Sequence, residues 1–233
     1  MITMILTARS SWAKLEPVCR ALKAREAEFT IVACGAALLE RYGRVVDVVK
    51  AQGYPVAEEL WTVYEGSTLQ TSAKETGALS GELSGALLRL RATCVVVCAD
   101  RHEVLAGAIA ASYLHLPLVH LQGGERSGSI DDKVRDAVTQ LADYHCVCTE
   151  RATYRVYGLT GRFDRVWNTG CPSIDLAQEA VADRPVGHDE LGGTGPCVDL
   201  SRRFVVCLQH PVTSEADMAG DQMSLTLAAL ERV

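Results

Sequence analysis

Residues 93–122 read TCVVVCADRHEVLAGAIAASYLHLPLVHLQ. Two short β-rich runs, CVVVC and PLVHL, flank an alanine-rich stretch of helical length. Both runs are apolar apart from the His of PLVHL, as expected of strands whose sheet is covered by helices on both faces. Two such strands joined by a helix form a parallel crossover unit. Working outward, the same alternation predicts strands at Thr3–Leu6, Glu28–Ala33, Pro55–Leu60, Thr93–Ala99, Pro117–Gln122, His145–Thr149, Arg165–Asn168 and Arg203–Gln209. Between them it predicts helices at Ala13–Ala27, Ala36–Gln52, Leu69–Leu90, Glu103–Leu114, Asp131–Ala142, Arg151–Tyr157, Ser173–Ala182 and Glu215–Arg232. The pattern is that of an α/β protein with a Rossmann-like, mostly parallel sheet.

Composition bounds the function classes. The 233 residues carry a net charge of −6, with 23 basic against 29 acidic side chains, so no basic stripe for nucleic acid is expected. Apolar residues make up 48% and charged ones 22%, which suits a folded core and argues against disorder. No apolar run approaches the roughly 20 residues of a membrane span. The opening MITMILTARSSWAKLEP has neither a leading basic region nor a cleavage-type tail, and reads as a strand rather than a signal peptide. A cytoplasmic protein is the expectation. The nine cysteines include no C-x-x-C pair and sit largely in strand-like runs, where thiols act as small reduced hydrophobes and bind no metal.

The Gly-, Pro- and Asp-rich segment 183–201 (DRPVGHDELGGTGPCVDLS) reads as a linker. It would separate a first domain, residues 1–182, from the start of a second at 202–233. One strand and one helix cannot bury their own apolar faces, so the chain is expected to break off shortly after entering that second domain.

Ligands of open α/β sheets bind outside the carboxyl ends of the strands, and the chemistry-bearing residues fall there. Arg9 and Lys14 lie at the turn into the first helix, a ready anion site. Asp100 directly follows CVVVC; it can serve as a catalytic carboxylate or as the N-cap of the helix after Arg101. His102 beside it reads as a polar residue orienting the turn.

The stretch HLQGGERSGSIDDKVRDA, residues 120–137, is the densest. Gly123, Gly124 and Gly128 allow tight turns and close approach to a ligand. Ser129–Asp132 has the form of a capping box, and Asp131 and Arg135 stand at i, i+4. His120, Gln122, Glu125, Arg126, Asp131 and Arg135 exceed what capping needs, and paired carboxylates would suit proton transfer at carbon. His210 ends the run FVVCLQ, pointing toward an interdomain cleft. TGCPSID, residues 169–175, reads as structural, with Pro172 opening a helix.

ARSSWAKLEP, ADRHEVLAGAIAA, HLQGGERSGSIDDKVRDAVTQLADYH, TER, NTGCPSID and LQHPVT together resemble the UDP-N-acetylglucosamine 2-epimerases, specifically the hydrolysing branch that feeds sialic-acid-type sugar synthesis. The resemblance runs from about residue 3 to about residue 230. It implies the first domain of a two-domain, GT-B-like architecture, with the second cut short. It also implies elimination of UDP across C1 and C2 to a 2-acetamidoglucal, then hydration to free N-acetylmannosamine, without cofactor or metal. The substrate would be a nucleotide sugar and the enzyme a homo-oligomer.

By this resemblance, Asp100 and Asp131 correspond to the family's acid/base carboxylates and Arg135 to the arginine after them. Arg9 and Lys14 correspond to the basic pair near the nucleotide sugar, and His210 to the histidine of the second-domain strand. Two positions depart. Arg9-Ser10-Ser11-Trp12 stands where Arg-Ala-Asp-Tyr is usual, and Gln122 stands where a Glu is frequent. Gln122 cannot transfer a proton, so either Glu125 supplies a third carboxylate or Gln122 binds a different substrate. The 233 residues alone are expected to be inactive. The alternatives are a non-hydrolysing epimerase and a silent nucleotide-sugar-binding or oligomerisation module.

Overall fold

The computed structural model describes residues 1–66, 68–181, 198–211 and 213–232. The chain divides into two units, Met1–Ala182 and Asp183–Val233.

The first unit is built on seven parallel strands: β1 (Ile2–Leu6), β2 (Phe29–Cys34), β3 (Val56–Leu60), β4 (Cys94–Cys98), β5 (Leu118–Leu121), β6 (Tyr144–Val147) and β7 (Val166–Asn168). Their order is β3-β2-β1-β4-β5-β6-β7. The order reverses between β1 and β4, so the chain leaves the sheet in opposite directions there and opens a crevice at their carboxyl ends. In register, Ile2 pairs with Cys94, and Val97 and Cys98 pair with His120 and Leu121.

Seven helices follow in turn: α1 (Arg9–Ala24), α2 (Val45–Ala51), α3 (Leu69–Arg89), α4 (His102–Tyr113), α5 (Asp131–Leu141), α6 (Glu150–Thr160) and α7 (Pro172–Val181). Two core clusters correspond to the two faces of the sheet. One joins Leu79, Leu83 and Leu87 of α3 and Ala106 and Ala110 of α4 to Ile5, Val95 and Val97. The other joins Trp12 and Leu15 of α1 and Val46 and Val49 of α2 to Met4, Leu6 and Val96. The alternate residues of β1 and β4 thus divide between the two cores, which is why these strands are apolar apart from the buried Thr3. The expected Rossmann-like α/β fold is the observed one.

Three expectations are corrected. The helix expected over Ala36–Gln52 is broken into short 3-10 turns at Gly35–Leu38 and Glu40–Tyr42 and the single helix α2. Gly43 (φ 80°) and Arg44 (φ 36°) both take left-handed backbone, which no α-helix can continue through. The first helix begins at Arg9 rather than Ala13, because the Ser11 hydroxyl accepts from the Ala8 N–H at 2.9 Å and closes its first turn.

The third correction lies in the second unit. The strand expected at Arg203–Gln209 is not formed; these residues carry no regular structure and are almost all exposed. Strand geometry requires a neighbour for its backbone groups, and none pairs with it among the described residues. The unit's described elements are the 3-10 segment Thr213–Met218 and α8 (Ala219–Leu230). Most of the expected linker, residues 183–197 of 183–201, lies outside the described residues. No described helix is long and apolar enough to cross a membrane.

Candidate active site

Strand β4 ends at Cys98, and Ala99 then takes φ 67°, left-handed backbone that is rare for a residue with a Cβ. That turn sets Asp100 at the rim of the crevice. Its carboxylate pairs with the Nη2 of Arg135 rather than capping α4, whose N-cap is Arg101 without a side-chain bond.

Arg135 is the node of the site. Only 5% exposed, its Nη1 also donates to the Glu125 carbonyl at 2.8 Å and to Asp132 Oδ1 at 2.8 Å. One guanidinium therefore joins the β4 turn, the glycine-rich loop and α5. Burial pushes its pKa down from the ordinary value; Asp136 opposes this and Arg155 adds to it.

The expected i, i+4 pair is not the one made: Arg135 takes Asp132 (i, i+3) and Asp100, leaving Asp131 to Ser129. The Ser129 hydroxyl donates to Asp131 Oδ2 at 2.9 Å and accepts from the Asp131 N–H at 3.2 Å. The expected capping box at Ser129–Asp132 is likewise absent. Ile130 is the N-cap, and Asp132 turns back to accept from Ser127 N (2.8 Å) and Gly128 N (3.0 Å). The Ser127 bond, then that of Gly128, holds the Asp132 carboxyl below its usual pKa against the opposing effect of burial. Asp131 is thus freed from Arg135, on the first turn of α5 where the helix dipole favours an anion.

Gln122 also takes left-handed backbone, φ 65°, and its amide donates to Cys171 Sγ at 3.0 Å. Burial pushes the neighbouring Cys148 thiol up to about 11; the charge of Cys171 adds to this and the Gln122 hydrogen bond opposes it. The Cys148 thiol is therefore a protonated neighbour of the Gln122 amide and not a nucleophile. The eight described cysteines are free. Glu125 accepts from the Thr149 hydroxyl at 3.3 Å.

The glycines serve packing more than ligand approach. A Cβ on Gly124 (φ 79°) would lie 2.5 Å from the Ala152 carbonyl oxygen, so the loop rests directly on α6. One on Gly123 would meet Thr139 Oγ1 at 3.0 Å, whereas Gly128 (φ 83°) faces open space and is required only by its turn. His120 does not belong to the reactive set either: it is wholly buried, with its pKa pushed down to about 4 by that burial.

Arg9 is the exposed first residue of α1. The charge of Lys14 opposes the burial that pushes Cys98 up to about 12, which puts the lysine within electrostatic reach of the end of β4. His210 is exposed in the second unit, outside any strand. Arg126 pairs with Asp136 at 2.9 Å.

Arg101 was passed over in the sequence. It grips Glu103 through Nε (3.0 Å) and Nη2 (2.6 Å). Burial alone would lower its pKa, but Glu103, Glu75 and Asp131 together raise it. A cation thus stands within electrostatic reach of Asp131 and one residue from Asp100. Nothing in the linear sequence signals Glu75, which arrives from α3.

Carboxylates at the carboxyl rim of β4 and β5, held by one arginine beside the switch point, can receive a polar ligand and exchange protons with it. The family model described as UDP-N-acetylglucosamine 2-epimerase matches residues 20–233. The chain belongs to that family. Among curated epimerases, it is 28% identical to the UDP-N,N'-diacetylbacillosamine 2-epimerase (hydrolyzing) of Legionella pneumophila, covering 98% of this chain and 60% of the relative. It is 26% identical to the GDP/UDP-N,N'-diacetylbacillosamine 2-epimerase (hydrolyzing) of Campylobacter jejuni, covering 99% and 59%. The chain therefore spans about three-fifths of the length of these epimerases.

Among solved structures, the UDP-GlcNAc 2-epimerase of Methanocaldococcus jannaschii superposes with a TM-score of 0.67 at 22% identity, over 78% of this chain and 48% of that one. The Neisseria meningitidis epimerase, solved bound to UDP-GlcNAc, gives 0.67 at 18% identity, over 78% and 49%. These likenesses show the fold alone.

Proposed function

We propose that this chain supplies the first domain and the acid/base carboxylates of a hydrolysing nucleotide-sugar 2-epimerase, acting on UDP-N-acetylglucosamine or a related nucleotide sugar. The reading rests above all on Arg135, which fastens Asp100 at the crevice while leaving Asp131 outside its grip. Two carboxylates in such different surroundings are suited to opposite duties in proton transfer. Membership of the epimerase family and the word hydrolyzing in the names of two relatives support the same reaction.

In this mechanism one carboxylate of the set Asp100, Asp131 and Glu125 takes the proton from C2 of the sugar as the C1–O bond to UDP breaks. The product is a 2-acetamidoglucal. Water then adds at C1 while C2 is reprotonated from the opposite face, giving free N-acetylmannosamine or its analogue. Arg9 and Lys14, at the start of α1, receive the diphosphate; Arg135 and Gln122 orient the sugar. His210 is proposed as a further catalytic residue, the second unit as the start of a second Rossmann-like domain, and the working protein as a cytoplasmic homo-oligomer. No cofactor enters the scheme. Because the curated relatives are longer, the 233 residues alone are expected to release no UDP.

The test is incubation of the full-length protein containing this chain with UDP-N-acetylglucosamine and, separately, UDP-N,N'-diacetylbacillosamine in D₂O. Release of UDP with a free 2-epimeric sugar carrying deuterium at C2 is the expected result. Return of an intact epimeric nucleotide sugar would assign the non-hydrolysing reaction, and no turnover of either would reduce the chain to a binding module.

A further inference from the structure

A second cluster of ionisable groups lies on the β2–β3 side of the end of β4. Glu75 of α3 and Glu103 of α4 are buried, at 6% and 1% exposure, and His102 stands between them. Its Nε2 is 3.3 Å from Glu75 Oε2 and its Nδ1 is 3.4 Å from Glu103 Oε2. One ligand atom from each residue falls within 4.8 Å of the others.

Two of these groups are unpartnered. Glu75 Oε1 and His102 Nε2 are both buried and make no hydrogen bond; the 3.3 Å approach of the ring to Glu75 is too poorly aligned to count as one. Both residues line a cavity of about 140 Å³, together with Tyr42 and Tyr64 among others. Buried polar atoms are almost always satisfied, so a bare carboxylate oxygen and a bare ring nitrogen on two adjacent residues that line one cavity call for an occupant.

Charge indicates its sign. Arg101 lies bidentate on Glu103 and answers one carboxylate. Among the described residues, Glu75 has no lysine or arginine within 4.0 Å, and its only close partner is His102.

We propose that Glu75, His102 and Glu103 form a binding site for a divalent cation of the Mn²⁺ type. Two carboxylates with one imidazole suit manganese better than magnesium, which prefers an all-oxygen set. The bound ion would tie α3 to the first turn of α4 and fix Glu103, which in turn holds Arg101 next to Asp100. The proposal stands apart from the sugar chemistry, since its readout is binding itself.

The experiment is calorimetric titration of the chelator-treated chain with MnCl₂, and separately with MgCl₂. One site is expected, at least about tenfold tighter for Mn²⁺, and weakened about tenfold or more by Glu75→Gln and by His102→Gln. Mn²⁺ should raise the melting temperature of the wild type and of neither variant. If Glu75→Gln fails to fold, the more accessible His102→Gln alone decides. Absence of Mn²⁺ binding, or binding unchanged in the folded variants, overturns the site and leaves the cavity to water.

Discussion

The Nε2 of His120 lies 2.9 Å from the carbonyl oxygen of Ala99, the residue just before Asp100. A carbonyl can only accept, so Nε2 carries the proton and Nδ1 accepts from the Thr139 hydroxyl at 3.2 Å. A buried chain of two hydrogen bonds thus runs from α5 through β5 to the strained turn after β4. His120→Leu should cost about 1–3 kcal/mol in urea unfolding, because it orphans the Ala99 carbonyl. A double-mutant cycle with Thr139→Val should show coupling of about 0.5–3 kcal/mol. Strict additivity would mean that the two bonds do not act together.

The same burial predicts a pH dependence of stability. Burial pushes the pKa of His120 and of His145 down to about 4 from an ordinary value of 6.5. The unfolded chain therefore binds protons first as pH falls. Stability from these two residues is full above about 6.5 and drains away between 6.5 and 4, by on the order of 2 kcal/mol per histidine at pH 5. Urea midpoints at pH 7.5 and pH 5 should differ accordingly, and His120→Gln should narrow the difference. Equal midpoints in the wild type would contradict the buried, neutral assignment.

Gly124 and Gly128 share a positive φ but not their surroundings. Gly124→Ala combines backbone strain with a contact on the Ala152 carbonyl and should cost more than about 3 kcal/mol, or prevent folding. Gly128→Ala should cost only about 1 kcal/mol, the strain alone. Thermal melts of the two variants make the comparison; similar losses would show that α6 does not sit against the loop as described.

Asp131→Asn in the active protein should lower kcat by about 10²–10⁴-fold, the usual share of a general acid or base. The loss of its Ser129 hydrogen bond should cost only about 1 kcal/mol of stability. A variant that loses stability yet keeps its rate would make Asp131 a helix-terminal residue and nothing more.

Gln122 and Glu125 separate by substrate preference. We expect Gln122→Glu to shift the ratio of kcat/KM between UDP-N-acetylglucosamine and UDP-N,N'-diacetylbacillosamine, because a site built around an amide partner rejects analogues lacking it. Glu125→Gln should be mild. Loss of C2 deuterium incorporation in Glu125→Gln, with nucleotide-sugar binding retained, would instead make Glu125 the third carboxylate.

Strand placement was legible because CVVVC and PLVHL can only be satisfied between two helical layers, a demand that each short run states by itself. The helix expected over Ala36–Gln52 does not form because its apolar spacing, though compatible with a helix, is interrupted by left-handed backbone at Gly43 and Arg44. Asp100, Asp131 and Arg135 could be named from their position after strands. Their partners could not, because i, i+4 spacing offers Asp131 to Arg135 while the fold delivers Asp100 from 35 residues away.

The amino-acid sequence by itself determined the parallel α/β architecture, since periodicity and burial are local demands that every element repeats. It also determined which rim carries the carboxylates, since they follow directly on apolar strands. Only the tertiary structure decided that Arg135 leaves Asp131 to Ser129, that His120 is a neutral strut, and that Glu75 meets His102 and Glu103 at a cavity. Each of these depends on contacts between elements distant in the chain, where burial removes water and forces every charge and donor to choose a partner the linear order does not specify.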